Sequence, residues 1–251
     1  MAHSLLQDVA HRPWEAPRGP WIWSQRWLDL FFAHWAVSPE KLRACVPAGL
    51  DIETADGSAW VSVVAFRMVN VRPRFLPPVG LVSNFLELNL RTYVCAAGKP
   101  GVYFLSIHGS KPLAVRVARL LSPLPYVRAR MSATWTRTDC RFDSVCDNAG
   151  AAAFSAMYKP QSQLCDSPAG SLDAWLTERY CMYTDTHKRG LLRGEIHHKR
   201  WPLQKVQASV PVNSLGQPFG LDLSHTPDSA HYCAGIDAIA WPFEQVSIGP
   251  F

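Results

Sequence analysis

Three polar residues with useful chemistry recur at every second position of the segment FLELNLRTYV, residues 85–94. They are Glu87, Asn89 and Arg91. Alternate side chains of an extended strand point to the same face, so an acid, an amide and a guanidinium share one side. A carboxyl group can move protons, and a guanidinium can hold a carboxylate through two parallel hydrogen bonds. The spacing therefore predicts a binding or acid–base site on one strand face.

The separation of Glu87 and Arg91 determines how such a site would work. Four strand residues at about 3.3 Å each place their Cα atoms roughly 13 Å apart. We expect them to bracket a ligand and not to pair with each other, with Asn89 between them and Tyr93 beyond as further ligand-binding residues. The alternative is that each charge meets an opposite charge on a neighbouring strand.

The direction in which this polar face points is left open by the alternation itself. Most antiparallel sheets keep a polar face in water, and the leucines of this strand would then be the only buried side chains. A long sheet that curls on itself instead packs its outer face under helices and keeps a polar-lined interior.

Strand patterns joined by turns dominate the chain. Residues 58–71 are apolar on both faces, as in a central strand, and residues 85–107 form an antiparallel hairpin that turns through AAGKPG. Residues 72–80, which contain three prolines, are predicted to form a loop. Other strands are expected at residues 26–37, 126–138, 179–186, 191–201, 205–212 and 231–241, and short helices at residues 38–46, 111–122 and 171–179.

Many strands and few short helices predict an α+β fold that is mainly antiparallel sheet, and they disfavour a parallel βαβ architecture. No repeat or change of composition divides the chain. We expect a Pro-rich polar arm at residues 1–20 and a single domain at residues 21–251.

The composition narrows the partners. The chain has 251 residues, 48% of them hydrophobic, and a formal charge of +5. Its cations are scattered, so a small anionic ligand fits the charge and a nucleic acid is not expected. No signal peptide or membrane-spanning stretch is recognisable, which predicts a cytoplasmic protein without a membrane partner. A homo-oligomer is compatible with the sequence.

Metal and cofactor signatures are missing from the sequence. The seven cysteines contain no Cys-x-x-Cys pair, which favours reduced thiols over a zinc site or disulfides. His197 and His198 are adjacent and point to opposite strand faces, so they cannot chelate one metal together. No glycine-rich phosphate loop or nucleophile elbow occurs either. We therefore expect no cofactor and no metal.

Seven segments in order resemble one bacterial family, the uncharacterised YqjF-type proteins. The resemblance covers residues 21–241, nearly the whole chain. The segments are DLFFAHWAVSPEKLRACVPAGLDIE, DGSAWVSVVAFRM, FLELNLRTYV, GVYFLSI, LPYVRARM, LTERYCMYT and IHHKRWPLQ.

That family is in turn similar to the acetoacetate decarboxylase superfamily, whose fold is a closed, cone-like antiparallel sheet around a central cavity. The more distant likeness lies in LRACVPAGLDI and in the region from the hairpin through LAVRVARLLSPLPYV. The resemblance implies a cavity lined by Glu87, Asn89 and Arg91, and it favours the interior orientation of the polar face. Tyr180 is expected to face the same cavity.

One departure from the superfamily concerns its catalytic lysine. The decarboxylase forms a Schiff base through a lysine that follows a proline, and a neighbouring cation activates it. The matching residue here is Tyr126, after Pro125, and tyrosine cannot form an imine. Lys111 is the lysine closest in sequence, at a predicted helix start that would lower its pKa, although such a lysine is more often simply exposed.

Three functional hypotheses follow. The first is a protein that binds a small organic molecule bearing a carboxylate or carbonyl group, without the Schiff-base lysine. The second is a lyase or isomerase for small oxo-acids, with Glu87 as base, Arg91 as carboxylate clamp and Tyr126 as proton donor. The third is an interaction protein that binds another chain through a tryptophan-rich surface.

Overall fold

The computed structural model describes residues 2–136, 139–147, 152–165, 167–186 and 188–246. In these residues the strands are β1 Trp23–Val37, β2 Asp51–Ile52, β3 Thr54–Ala55, β4 Ser58–Pro73, β5 Phe85–Ala96, β6 Lys99–Gly109, β7 Tyr126–Trp135, β8 Cys140–Cys146, β9 Ala153–Leu164, β10 Cys181–Thr186, β11 Gly190–His198, β12 Gln204–Asn213 and β13 Ser229–Gln245. The helices are α1 Ala2–Leu6, α2 Pro39–Arg43, α3 Gly80–Ser83, α4 Pro112–Leu121 and α5 Leu172–Thr177, with a 3-10 turn at Gln217–Phe219.

The strands form one continuous sheet that closes on itself twice. Five neighbouring strands, in the order β13-β1-β4-β5-β6, form a wall that belongs to both circuits. One circuit returns from β6 to β13 through β7, β8, β9 and β12, and the other returns through β10 and β11. A sheet closed in this way has two packed faces, so neither side of the wall needs to face water.

The first face of the wall is apolar and filled. Cross-strand register places Phe31, Ala65 and Leu88 side by side on it. These residues belong to a large buried cluster that also contains Leu42 of α2 and Phe142 of β8. The Phe31 ring stacks on the Tyr158 ring of β9 with centroids 4.4 Å apart. We call this side the apolar face; it carries Phe31, Ala33, Val63, Ala65, Leu88 and Leu90.

The second face of the same wall carries polar side chains. Register aligns Arg91 with Ser62 and Ser62 with His34, and in the next row it aligns Asn89 with Val64, Phe32 and His231. We call this side the polar face; it carries Phe32, His34, Ser62, Val64, Phe66, Glu87, Asn89, Arg91, Tyr93 and His231. Trp201 and Leu203 cover its middle, where they cluster with Phe32, Val64 and Phe66.

Helices α4 and α5 cover the two ends of the polar face. Gly109 pairs with Glu87, and a Cβ atom at Gly109 would lie only 2.7 Å from a methyl of Val115, so α4 packs directly on this end. At the other end, Leu176 of α5 clusters with Tyr93. The fold thus encloses the polar face between the wall and three covering segments.

The N-terminal arm packs against the sheet. Leu5 of α1 is buried with Ile239 and Trp241 of β13. Arg12 is 8% exposed and forms an ion pair with Glu195 of β11, N to O 2.9 Å. The assignment of this arm and of one domain after it remains a prediction.

The observed elements match most of the expected strands, with instructive differences. Strands β8 and β9 and the short helix α3 were not predicted. Lys111 is the residue at the N-terminal cap of α4, and the hydroxyl of the preceding Ser110 accepts a hydrogen bond from the Leu86 amide at 2.9 Å. The sheet is mainly antiparallel as expected, but β6 pairs in parallel with β7 through the crossover helix α4, and in parallel with β10.

The helices of the protein are short. Within the described ranges, none is both long enough and apolar enough to cross a bilayer.

Candidate functional site

The polar row of β5 is buried, which answers the question raised by its alternation. Glu87 is 4% exposed, Asn89 5% and Tyr93 0%, and Arg91 is partly buried. These side chains do not face bulk solvent. On the opposite side of the strand Leu88 and Leu90 are buried as well and Leu86 is partly buried, so β5 has no fully water-facing side along this stretch.

Glu87 and Tyr126 form the hydrogen-bonded pair at the α4 end. Tyr126 is the first residue of β7 and pairs with Ile107, which itself pairs with Asn89, so the register brings it onto the polar face. Its hydroxyl donates to Glu87 Oε2 at 3.0 Å. Its backbone carbonyl accepts a hydrogen bond from Arg119 Nε of α4 at 2.7 Å, which fixes the start of the strand.

The protonation of this pair is set by its burial. Burial raises the pKa of Glu87 to about 7, and hydrogen bonds from Tyr126 and Asn89 oppose that rise. Burial, and then the neighbouring Glu87 carboxyl, raise the pKa of Tyr126 well above its ordinary value. Tyr126 therefore keeps its proton and orients Glu87, while Glu87 exchanges a proton near neutral pH.

Arg91 lies at the α5 end. Its Nη2 donates to the Leu176 carbonyl at 3.4 Å, and its guanidinium lies 5.8 Å from the Phe32 ring centroid. Burial lowers the pKa of Arg91. Among the described residues no ion pair includes Arg91, so the guanidinium has no acid to balance it. The alternative expectation, an opposite charge on a neighbouring strand, does not hold for Arg91 among the described residues.

Tyr93 supports this end and is not free to bind through its hydroxyl. The hydroxyl donates to the Leu176 carbonyl at 2.8 Å and lies 2.5 Å from Ser62 Oγ. Ser62 Oγ lies 2.6 Å from His34 Nδ1. Tyr93 is thus tied into a buried chain of hydrogen bonds that leads to a histidine of β1.

Two histidines on the polar face were not selected from the sequence. His34 is 0% exposed and His231 is 4% exposed, and their ring centroids are 5.6 Å apart. His231 Nε2 lies 3.1 Å from an oxygen of Asp173 on α5. In the sequence, His34 follows Phe32 by two residues within a clear strand pattern, so both side chains lie on the same strand face. This spacing is the one sequence signal that could have assigned His34 to the polar face.

Several buried atoms on the polar face have no hydrogen-bond partner within the described part of the chain. They are Asn89 Oδ1, Arg91 Nε, His34 Nε2 and His231 Nδ1. Buried polar groups in native proteins are nearly always paired, and leaving one unpaired costs about 1–3 kcal/mol. Four such atoms on one enclosed surface indicate a region that water or a ligand completes.

The structure places Tyr180 and Lys111 away from the Glu87–Tyr126 pair. The Tyr180 hydroxyl donates to Glu178, and its ring packs between His198 and the Arg12 guanidinium, near the N-terminal arm. Lys111 Nζ donates to the Gly80 carbonyl at 3.1 Å in an exposed position beside α3.

Hollows that open to the surface lie elsewhere. One of about 460 Å³ is lined by the N-terminal arm together with Lys99 and Trp241, and one of about 470 Å³ by His11 and Lys199 among others. Neither includes Glu87 or Arg91 in its lining. Across the described parts of the chain, no group of three or more His, Cys, Asp or Glu is arranged to hold a metal ion.

Comparison with known sequences gives a specific match. The family model DUF2071, described as an uncharacterized conserved protein, matches residues 24–237. The uncharacterized protein YqjF of Bacillus subtilis strain 168 is 41% identical over 231 residues, which cover 92% of this chain and 95% of YqjF. The YqjF-type resemblance seen in the sequence is thereby confirmed.

Comparison with solved structures gives the fold. Acetoacetate decarboxylase from Legionella pneumophila aligns with a TM-score of 0.62 and 13% identity over 97% of this chain and 95% of that one. The enduracididine biosynthesis enzyme MppR, in a complex with pyruvate, aligns with a TM-score of 0.61 and 12% identity over 96% and 98%. The expected mainly antiparallel, acetoacetate-decarboxylase-like fold is confirmed; at these identities the likeness concerns the fold alone.

Proposed function

The chain belongs to the DUF2071 family, and from that premise and the geometry of its polar face we propose that it binds a small organic anion in the interior of the fold. The anionic end lies at Arg91, and a carbonyl or second polar group lies towards Glu87 and Asn89. The observation that carries this proposal is an inward-facing guanidinium that has no acid partner among the described residues. A buried cation is costly unless an opposite charge compensates it, and a ligand carboxylate supplies that charge.

The apolar residues between the polar ones suggest the rest of the ligand. Phe32, Val64 and Phe66 separate the two ends of the polar face, and Trp201 covers them. Ligand sites are typically apolar surfaces with a few placed polar groups. A carbon skeleton that reaches from Arg91 towards Glu87 fits this lining better than a compact, highly polar molecule does.

The comparison with MppR supports a small-molecule role without naming a ligand. MppR has the same fold and was solved in a complex with pyruvate. A 2-oxo acid combines the carboxylate and the carbonyl that the polar face would accommodate. We therefore take oxo-acids as the first class of compound to examine.

Acid–base catalysis on such a ligand is the second candidate, and one observation favours it. A carboxyl group whose pKa is about 7 is poised to both accept and release a proton at neutral pH. In an isomerisation, the Glu87 carboxylate would take a proton from the carbon beside the ligand carbonyl and return it to a different atom. Tyr126 would orient Glu87. This role differs from that of proton donor, which the sequence predicted for Tyr126.

Imine chemistry is not part of this proposal. By the sequence resemblance Tyr126 matches the lysine of the decarboxylase pattern, and it is hydrogen-bonded to Glu87. Lys111 is held at the surface by Gly80. Treatment with borohydride and acetoacetate should leave no adduct on any lysine, whereas an adduct on Lys111 would restore the Schiff-base mechanism.

The interaction hypothesis receives no support from a tryptophan-rich surface. All ten tryptophans are buried or partly buried. The most exposed large apolar side chains are instead Phe75, Leu81 and Leu120, which belong to the α3 and α4 region.

A ligand panel tests the proposal. We suggest thermal-shift and calorimetric titration with oxo-carboxylates of three to eight carbons. A ligand at one hundred times its Kd stabilises the fold by about 2.7 kcal/mol, which a thermal shift detects. Affinity should fall at least tenfold in Arg91→Met and stay unchanged in Arg116→Met, an exposed arginine of α4 that serves as the matched control. The absence of binding across the whole panel would contradict the proposal.

Turnover separates the two candidates. A compound that binds is also tested for conversion. Conversion that is lost in Glu87→Gln, while binding remains, would support acid–base catalysis by Glu87. Binding without conversion of any panel member would leave a binding protein.

A further inference from the structure

We propose that His34 and His231 complete, with Arg91, a subsite for the anionic end of the ligand, and that this subsite takes up one proton as the anion binds. The inference rests on the proposed function and goes further, because it assigns two residues and a proton to the anionic end.

The proton positions around His34 follow from its hydrogen-bond chain. Tyr93 has one hydroxyl proton, and it is used on the Leu176 carbonyl. The contact between Ser62 Oγ and the Tyr93 oxygen, 2.5 Å, then needs the Ser62 proton. Ser62 is left to accept from His34 Nδ1–H at 2.6 Å. A neutral His34 therefore presents an unprotonated Nε2, which has no partner.

His231 reaches the same state by a different route. Its Nε2 lies 3.1 Å from the Asp173 carboxylate, which can only accept, so Nε2 carries the proton. Neutral His231 then presents an unprotonated Nδ1, which is the second buried nitrogen without a partner. The two rings are 5.6 Å apart, so both lone pairs belong to one small region.

Two imidazole lone pairs beside a guanidinium cannot receive a carboxylate unchanged. Lone pairs repel an anion, so a carboxylate that contacts these nitrogens brings a proton with it, either on one imidazole or on the ligand itself. Burial keeps the pKa of both His34 and His231 below the ordinary value, so the two imidazoles of the empty subsite are neutral. An arriving negative charge favours the imidazolium and reverses that preference.

The charged groups around His231 favour it as the residue that is protonated. Asp173 on α5 faces it directly, while His34 on β1 is the neighbouring imidazole and Lys205 of β12 is its exposed register partner. The pKa of His34, by contrast, is lowered by burial and further by the neighbouring His231 and Arg91. Asp173 is thus a positioning residue that stabilises an imidazolium at His231.

Calorimetric titration with hexanoate tests the subsite by itself, because hexanoate has a carboxylate and no carbonyl. At pH 7.5, in phosphate and in Tris buffer, the difference in apparent enthalpy should show uptake of about one proton. The Kd should rise about tenfold per pH unit above neutrality. In Asp173→Asn, a substitution at a partly exposed position, affinity should fall several-fold and proton uptake should decrease. Asp51→Asn, at an exposed acid of β2, should change neither.

Each result has a separate meaning. Hexanoate binding with no proton uptake, or with the same uptake in Asp173→Asn, overturns the inference. Failure of hexanoate to bind while an oxo-acid of the panel does bind also overturns it, yet leaves the proposed function standing. Failure of every compound rejects the proposed function itself, and the inference with it.

Discussion

The two faces of the wall are built from the same five strands and have opposite characters. On the apolar face, Leu88 and Leu90 are 0% exposed and pack into the largest cluster of the protein. On the polar face, Glu87 and Asn89 are almost as deeply buried but lie among imidazoles and a guanidinium. One strand, β5, contributes to both faces through simple alternation.

Residues of the apolar face stabilise the fold. Residues of the polar face are instead held in place by the fold. Buried hydrocarbon contributes stability roughly in proportion to its area. Buried polar atoms without partners reduce stability, and surrounding structure must compensate for them. Under the proposed function a ligand supplies partners for these atoms, so substitutions on the two faces should behave differently.

The largest effect is expected on the apolar face. Leu90→Ala removes a fully buried side chain from the main cluster. It should lower the free energy of unfolding by about 2–5 kcal/mol, because the cavity adds to the lost burial. Chemical denaturation measures it. A loss below 1 kcal/mol would mean that this face is not the structural core.

The second effect depends on pH and belongs to Glu87. Its pKa rises from an ordinary 4.5 to about 7 in the fold, so the folded protein keeps a proton that the unfolded chain loses. Stability from this group is therefore full below pH 4.5 and is lost as the pH rises through about 7. Relative to Glu87→Gln, the wild type should lose about 3 kcal/mol over that window. Equal pH dependence in both proteins would show that Glu87 is not buried as described.

A smaller effect is expected for Tyr126→Phe. The substitution removes one hydrogen bond to Glu87 and should lower stability by about 1 kcal/mol. Because that hydrogen bond lowers the pKa of Glu87, its loss should move the pH dependence to a higher value. The shift is measured from unfolding curves at several pH values, and a shift in the opposite direction would contradict the assigned donor.

The smallest effect on stability is expected for Arg91→Met. A guanidinium without an acid partner contributes little to folding, and an apolar residue of similar length fills its place. The free energy of unfolding should stay within about 1 kcal/mol of the wild type, while ligand affinity falls. A large loss of stability would instead make Arg91 a structural residue.

Much of this comparison could be predicted from the sequence. The alternation in β5 gives the two faces, and the resemblance to the decarboxylase superfamily correctly favoured burial of the polar one. Local signals also gave α2, with Ser38 accepting a hydrogen bond from Lys41 and Pro39 in the first turn. The alternation in β5 and the start of α2 depend only on residues that are close together in the sequence.

The remaining features depend on pairings that no local pattern contains. His34 and His231 become neighbours only through the register of β1 with β13. Strand β9 was missed because it contains Pro160 and many small or polar residues, and its pairing with β8 and β12 overrides those preferences. Tyr180 was expected to face the cavity, but its ring contacts the N-terminal arm.

The most direct test of the central claim is a crystal structure of the protein with the tightest-binding oxo-carboxylate of the panel. We expect density on the polar face, with a carboxylate within hydrogen-bonding distance of Arg91 and the ligand extending towards Glu87. A ligand bound only in the surface hollows beside the N-terminal arm, with the polar face closed and unchanged, would contradict it.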